Sequence, residues 1–348
     1  MLMSTIGLRS RGHKVYFGGR KGSKFLSVCS ENNFPIFELS IKGDFGLVNI
    51  FKLTKYFRKN SINIIIANFN KDIRLSVLAA KFSPVQILLA RNGLPILQNN
   101  WRYRLTYTRL VDGIITNTNA IKSRYLSYGW LSDDFIKVIH NGIDTSQKVD
   151  YPRDQVIREY NLPKERKFVG IFGRLVKQKQ HHVFLEIARK IKNELPQVRF
   201  LIIGDGPLKQ ELDDRGKELG LENEVIFISH LSNPFPLYAV CDVVLLTSEE
   251  EGFPNVVMEA MLSAKPVVAF NVGGVGELIE TNKTGFITQQ DNQQEMFLKA
   301  VELLKNPQLC QEIGQNARKY VLENLSLDKM IDQIESYLEF QLERKSLN

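Results

Sequence analysis

The stretch DVVLLTSEEEGFPNVVMEA, Asp242–Ala260, holds a strand, its exit loop and the start of a helix. VVLL is apolar at every position, which fits a strand buried on both faces. Thr247 and Ser248 end that strand, and Glu249, Glu250 and Glu251 crowd the loop. Gly252, Phe253 and Pro254 then turn the chain into a helix that is expected to begin at Pro254 and Asn255. From Gly252 to Ala264 the only charged residue is Glu259. A buried carboxylate without donors is costly, so Glu259 needs hydrogen-bond partners from the protein or from a ligand.

Moving outward, the same strand–loop–helix unit repeats. FVGIFGR, VRFLIIGDG, EVIFIS and PVVAFN read as strands; HHVFLEIARKIKNEL, PLKQELDDRGKELGL and NQQEMFLKAVELLK read as helices. Upstream, HKVYF, NIIIANF, VQILLA, DGIITNT and FIKVIHN alternate with amphipathic segments such as LVNIFKLTKYFRKN. The polar stretch KVDYPRDQ, after Asn141-Gly142, separates the two series. Apolar strands divided by helices imply parallel sheets covered on both faces, hence two doubly wound α/β domains. In such sheets ligands bind beyond the carboxyl ends of the strands, so function is expected in the exit loops. MLMSTIGLRSRGHKVYF reads as a helix and then a strand, so the first strand of the N-terminal domain and its loop are expected to be missing.

The 348 residues, 43% hydrophobic and 24% charged, fit a soluble globular chain of two domains. The longest apolar runs have strand length, well short of the ~20 residues needed to span a bilayer. The N-terminus lacks a signal-peptide pattern. Cys29, Cys241 and Cys310 are far apart and odd in number, which argues against a disulfide framework or a zinc site and predicts a cytoplasmic chain with reduced thiols. Residues 1–150 carry 22 Lys/Arg against 9 Asp/Glu, a net +13, whereas the remainder carries 24 against 29, a net −5. The basic half suits an anionic partner, be it nucleic acid, an acidic membrane surface or a phosphorylated substrate; a merely solvated basic surface fits the charge equally well.

FGRLVKQKQHH sets Arg174 and Lys179 between a strand exit and a helix N-terminus, where cations and free backbone N–H groups make a site for a diphosphate. By itself the segment reads as well as surface basic residues. In IIGDGPLKQEL, Gly204 and Gly206 permit a tight exit and Pro207 is expected to open the helix. Gly18 and Gly19 lack Walker spacing. NVGGVGELIE has glycines placed for a further turn and helix. No D-x-D or H-E-x-x-H sequence marks a metal site, and His181 and His182 are adjacent and cannot share a helix face. For Glu259, structural capping and ligand binding stay equally open, and Glu251 with Glu259 could form an acid/base couple as in glycosidases.

In order and spacing, FGRLVKQK, IIGDGPLKQEL, EGFPNVVMEA, AKPVVAFNVGGVGELI and TGFI, with NGID at the domain junction, resemble the retaining glycosyltransferases of family four, the group one enzymes of GT-B fold. EGFPNVVME matches that family's E-x7-E signature through Glu251 and Glu259. The resemblance implies two Rossmann-like domains facing a cleft: an acceptor-side domain over residues 1–145, a nucleotide-sugar domain over 146–325, and a final helix, 326–348, packing back on the first. It implies that Arg174 and Lys179 grip the diphosphate of a UDP- or GDP-sugar and stabilise it as leaving group, with Glu251 as the third catalytic residue, holding hydroxyls of the sugar. Glu259 would bind the ribose, and Gly252, Phe253, Pro254, Asn255 and Val256, with Gly204, would line the donor site, the backbone N–H groups between Phe253 and Val256 helping to cradle phosphate. Arg91 and Asn117, at strand exits of the first domain, are the acceptor-side candidates.

Transfer with retention and without metal or other cofactor is then expected, to a glycan or lipid-linked acceptor in cell-surface polysaccharide synthesis. Peripheral contact of the basic half with an anionic membrane at the inner face of the plasma membrane is expected, and no nucleic acid. Gln180 and Ala264 stand where the family often has glycine. The expected loss of the first strand allows an alternative, a nucleotide-sugar-binding protein with impaired catalysis. A Rossmann oxidoreductase is disfavoured, because no G-x-G-x-x-G follows the early strands.

Overall fold

The computed structural model describes residues 2–39, 46–229 and 232–347. The chain divides into two compact units, Met1–Gly142 with Leu327–Asn348, and Ile143–Ser326.

The second unit is built on one parallel sheet of six strands: β7 (Lys167–Phe172), β8 (Val198–Ile203), β9 (Val225–Ile228), β10 (Val243–Leu246), β11 (Val267–Phe270) and β12 (Phe286–Thr288). Their spatial order is β12-β11-β10-β7-β8-β9. Every residue of β10 and β11 is buried, as expected of central strands covered by helices on both faces. Helix His181–Glu194 buries Val183, Phe184, Ile187, Ala188 and Ile191, a stripe of period 3.6. The chain runs outward from β7 in one direction through β8 and β9, then returns to β10 on the other side of β7. The reversal point therefore lies between β7 and β10, where a doubly wound sheet opens a crevice for ligands.

The first unit holds β1 (Phe17–Arg20), β2 (Ile36–Leu39), β3 (Ile64–Ala67), β4 (Ile87–Asn92), β5 (Gly113–Thr116) and β6 (Ile136–Val138). Strands β3-β4-β5-β6 form one parallel sheet and β1-β2 another. Ile64, Ile65 and Ile66 of β3, the end strand of its sheet, are half-buried, although Ile87–Ala90 of the next strand are fully buried. Helix Leu327–Ser346 places Met330, Ile331, Ile334 and Tyr337 on one buried stripe. Ile331 packs on Gly7 of helix Leu2–Ser10 so closely that a Cβ there would lie 1.9 Å from its Cδ1. Arg11 joins the same helix through 2.5 Å contacts to Asp332 and Glu335.

Several boundaries differ from the sequence reading. The first strand is Phe17–Arg20 rather than His13–Phe17, because Gly18 and Gly19 pair in register with Phe37 and Glu38. Pro207 does not open its helix, which starts at Lys209 after the turn closed by Lys209 N–H on the Gly206 carbonyl. Helix Pro307–Asn324 has no counterpart in the sequence reading; its Gly314 abuts the Ala264 carbonyl, at 2.1 Å from where a Cβ would stand.

Candidate donor site at the strand exits of the second unit

The exit loops of β7, β8, β10 and β11 interlock through their backbones. Gly204 follows β8 at φ +146, and a Cβ there would lie 1.9 Å from the Gly173 carbonyl oxygen, so only glycine lets these two exits touch. Leu175 N–H donates to the Asp205 carbonyl at 2.8 Å, fastening the same pair. On the other side, Gly273 at φ +54 would drive a Cβ to 1.7 Å from the Glu251 carbonyl, and Gly274 N–H donates to the Gly252 carbonyl at 2.8 Å. The β7 and β10 exits are tied by Glu249 N–H to the Gln178 carbonyl, 2.9 Å, and by Gln178 Nε2 to the Glu250 carbonyl, 2.8 Å. Thr247, fully buried, offers its hydroxyl to the carbonyls of Lys179 and Gln180 at 3.0 and 3.1 Å.

Within this frame Lys179 Nζ donates to Glu251 Oε1 at 2.6 Å. Their side chains are only 15% and 8% exposed, so the pair is shielded from bulk water and its attraction is screened less than that of a surface pair. Arg174 differs: it is exposed, and its guanidinium has no partner among the described residues. Three buried polar groups nearby in the chain are also unsatisfied, namely Gln180 Oε1, Ser248 Oγ and both ring nitrogens of His181. Buried groups of this kind ordinarily find partners, and their concentration at one strand edge marks a polar site.

Glu259 lies one turn into helix Asn255–Leu262, and Tyr238 donates its hydroxyl to Glu259 Oε2 at 2.9 Å. Tyr238 is fully buried, stacked on Phe172 with centroids 3.7 Å apart. Burial raises the Glu259 carboxyl above its ordinary range, opposed by the Tyr238 hydrogen bond. Burial, and then the carboxylate beside it, push the phenol well above 10. The solitary carboxylate thus has one protein donor, and its other oxygen has no partner among the described residues. Pro254 is the N-cap and carries no N–H, so it cannot join a phosphate cradle; the helix proper starts at Asn255, with Val256 behind it. Phe253 is a core residue, 4% exposed, and Gly252 contributes its carbonyl to the loop clasp described above.

Arg91 and Asn117 belong to the other unit, at the carboxyl ends of β4 and β5. Burial pushes the Arg91 guanidinium down, and its Nη1 reaches Ser4 Oγ at 3.4 Å. Asn117 is 7% exposed with its amide oxygen unpartnered, while its carbonyl lies 3.0 Å from His140 Nδ1. Sequence reasoning missed Tyr238, Thr247 and Gln178 as site residues. Tyr238 stands in the apolar helix Phe235–Val240, where a lone phenol signals a polar partner nearby.

Residues 152–320 match the family described as glycosyl transferases group 1, and residues 5–147 match glycosyltransferase family 4. The chain is 30% identical over 203 residues to N-acetyl-alpha-D-glucosaminyl L-malate synthase of Bacillus anthracis, covering 58% of this chain and 52% of that one. The match therefore spans about half the length of that relative. It is 24% identical over 304 residues to the capsular polysaccharide biosynthesis glycosyltransferase CapM of Staphylococcus aureus, covering 83% of this chain and 80% of the relative. Among solved structures, Anabaena Alr3699/HepE in complex with UDP superposes with a TM-score of 0.85 at 24% identity, covering 97% of this chain and 94% of that one. That likeness shows the fold.

Proposed function

The chain belongs to the GT-B glycosyltransferases that its two halves match, and on that premise we propose that it transfers a sugar from a UDP- or GDP-sugar to a glycan or lipid-linked acceptor, with retention and without a metal ion. The observation that carries the reading is the Lys179–Glu251 contact at the reversal point between β7 and β10. An ammonium has three donors; one goes to Glu251, which leaves two for phosphate oxygens. Glu251 keeps its second oxygen for a sugar hydroxyl. Arg174, exposed near this pair in the chain and without a partner among the described residues, supplies a planar fork for the same diphosphate.

Glu259 takes the ribose hydroxyls on the oxygen that Tyr238 leaves open. The N–H groups of Asn255 and Val256, at a helix start, favour the adjoining phosphate. In the transfer, the bond between the anomeric carbon and the phosphate oxygen breaks as the acceptor oxygen bonds to that carbon on the same face, and the acceptor's proton leaves with the diphosphate. Charge builds on the departing phosphate, where Lys179 and Arg174 act. Neither glutamate serves as a glycosidase-type acid or base. Arg91 and Asn117 are proposed on the acceptor side. A cell-surface polymer is the acceptor class favoured by the capsular relative, and a UDP donor by the UDP complex of the solved one.

The division of the first unit's strands between two sheets favours a second reading, donor binding without transfer. A panel of UDP- and GDP-sugars, scored for nucleotide binding and for nucleotide release, separates the two. Release with a chelator present, and a product whose anomeric configuration equals the donor's, is the expected result. If Glu251→Ala and Arg174→Ala both leave donor binding and turnover unchanged, the site assignment is wrong.

A further inference from the structure

The residues that precede β10 and β11 gather at the sheet edge opposite the donor site. There a cleft of about 360 Å³ opens among Val149, Tyr151, Pro152, Ala239, Ser263 and Lys265, with Asp150 at its wall. A volume of about 300–1,000 Å³ is usual for a small-molecule site. Ala239 belongs to helix Phe235–Val240, Ser263 caps helix Asn255–Leu262, and Lys265 stands two residues before β11.

Lys265 is the charge that the fold leaves over at this edge. Asp242 accepts from the Phe168 N–H at 2.7 Å and pairs with Arg153 at 3.3 Å. Asp150 accepts from Arg318 on both oxygens, at 2.8 and 3.0 Å. Lys265 is half-buried and has no carboxylate within ion-pair distance among the described residues. Its Nζ donates to the Ala239 carbonyl at 2.8 Å, which leaves two of its three donors. Burial lowers its pKa, the direction expected of an ammonium short of compensating charge. The two helix ends are already capped and do not supply that charge. The carbonyls of Tyr238, Ala239 and Val240 accept from Cys241 N–H, Lys265 Nζ and Arg153 Nη1. Those of Glu259, Ala260 and Met261 accept from the N–H groups of Ser263, Lys265 and Ala264.

We propose that this cleft is a second ligand site, for a small organic anion whose phosphate or carboxylate head meets the Lys265 ammonium and whose body lies on Tyr151, Pro152 and Val149. A charge-assisted bond to the head uses the ammonium's open donors, and the aromatic and aliphatic wall holds the remainder. A metal cation suits the cleft poorly, because Lys148 Nζ also stands 4.8 Å from the centre of the Tyr151 ring. The site is separate from the Lys179–Glu251 contact, which lies past the other ends of the same strands, so the inference is independent of the donor reading.

The test is isothermal titration calorimetry of the full chain with phenyl phosphate, benzoate, inorganic phosphate and phenol. The wild type is expected to bind phenyl phosphate or benzoate at least about ten-fold more tightly than phenol, and the tighter of the two identifies the preferred head. Lys265→Met should weaken that binding about ten-fold or more. Tyr151→Ala should weaken the aromatic anion about three-fold or more and leave inorganic phosphate as in the wild type. Arg174→Ala should leave the aromatic anion bound as in the wild type. Thermal unfolding without ligand checks that each variant is folded, and should Lys265→Met fail to fold, the Tyr151→Ala contrast decides. Absence of binding by the wild type overturns the proposal, as does wild-type affinity in both Lys265→Met and Tyr151→Ala. So does binding that Arg174→Ala abolishes and Lys265→Met leaves intact, since the anion would then occupy the donor site.

Discussion

Lys179 and Glu251 meet at 2.6 Å across the exits of β7 and β10, two strands adjacent in space but separated in the chain by β8 and β9. The contact couples the basic loop to the acidic one at the point where the sheet reverses direction. Each group restrains the other before any ligand arrives, so under the proposed function the ammonium would already be aimed when a diphosphate enters.

Their coupling should be measurable. With both side chains largely buried, Lys179→Met and Glu251→Gln are each expected to destabilise the protein by about 1–3 kcal/mol, because each leaves the other group without its partner. The double variant should lose less than the sum, with an interaction energy of about 0.5–3 kcal/mol from urea unfolding. Nucleotide release should fall by about two orders of magnitude or more in Lys179→Met. Strictly additive stability losses would mean that the contact is incidental.

Tyr238 offers a second test. Tyr238→Phe preserves the stack on Phe172 and removes the only hydroxyl on Glu259 among the described residues. A hydrogen bond to a carboxylate contributes about 1.5–3 kcal/mol, and a stability loss of that order is expected. The bond also opposes the upward push that burial gives the Glu259 carboxyl, so its removal should raise that pKa further. If the ionised form binds the ribose, the acid limb of UDP binding should move to higher pH in the variant. An acid limb that stays fixed while stability falls would confine Tyr238 to a structural role.

Two positions where glycine is common in the family have left-handed backbones here. Gln180 has φ 47 and ψ 46 at the start of helix His181–Glu194, and its buried amide oxygen has no partner. Ala264 has φ 55 and follows helix Asn255–Leu262, with Ala264 N–H on the Met261 carbonyl and Lys265 N–H on the Ala260 carbonyl, both 2.9 Å. That is the Schellman closure, whose left-handed position favours glycine. A left-handed L-residue costs about 1–2 kcal/mol, and glycine returns part of the gain through its greater freedom when unfolded. Gln180→Gly and Ala264→Gly should therefore each stabilise by about 0.5–1 kcal/mol. A lower unfolding midpoint in either variant would show that the side chain is contributing contacts that outweigh the strain.

The strands and their exit loops were legible because a parallel sheet buried on both faces demands largely apolar runs, and VVLL and VRFLII can be little else. Glu259 could be picked out because it is alone. Its partner could not, because Tyr238 lies on another helix, Phe235–Val240, and only packing brings the phenol to the carboxylate. The same holds for Lys179 and Glu251, whose individual positions can be read locally but whose contact depends on strand order. Short-range cues also misplaced Pro207, since a proline suits a turn as well as a first helical position, and the packing of Gly206 on Leu175 delays the helix to Lys209.

His181 supplies the pH-dependent prediction. It is 1% exposed, neither ring nitrogen has a partner among the described residues, and burial, followed by Lys179 and His182, lowers its pKa to about 4. The unfolded value is 6.5. Between these values the unfolded chain binds a proton that the folded chain refuses, so stability is fully present above pH 6.5 and is lost as the pH falls through about 4. The shift corresponds to about 3 kcal/mol at its limit, and to about 2 kcal/mol between about pH 7.5 and about pH 5. His181→Leu is uncharged at every pH and removes the titration. Urea unfolding of both proteins at those two pH values should show a drop that is smaller in the variant by about 2 kcal/mol. The comparison cancels the carboxylates common to both chains, so equal drops would mean that His181 is hydrated in solution and titrates near its ordinary value.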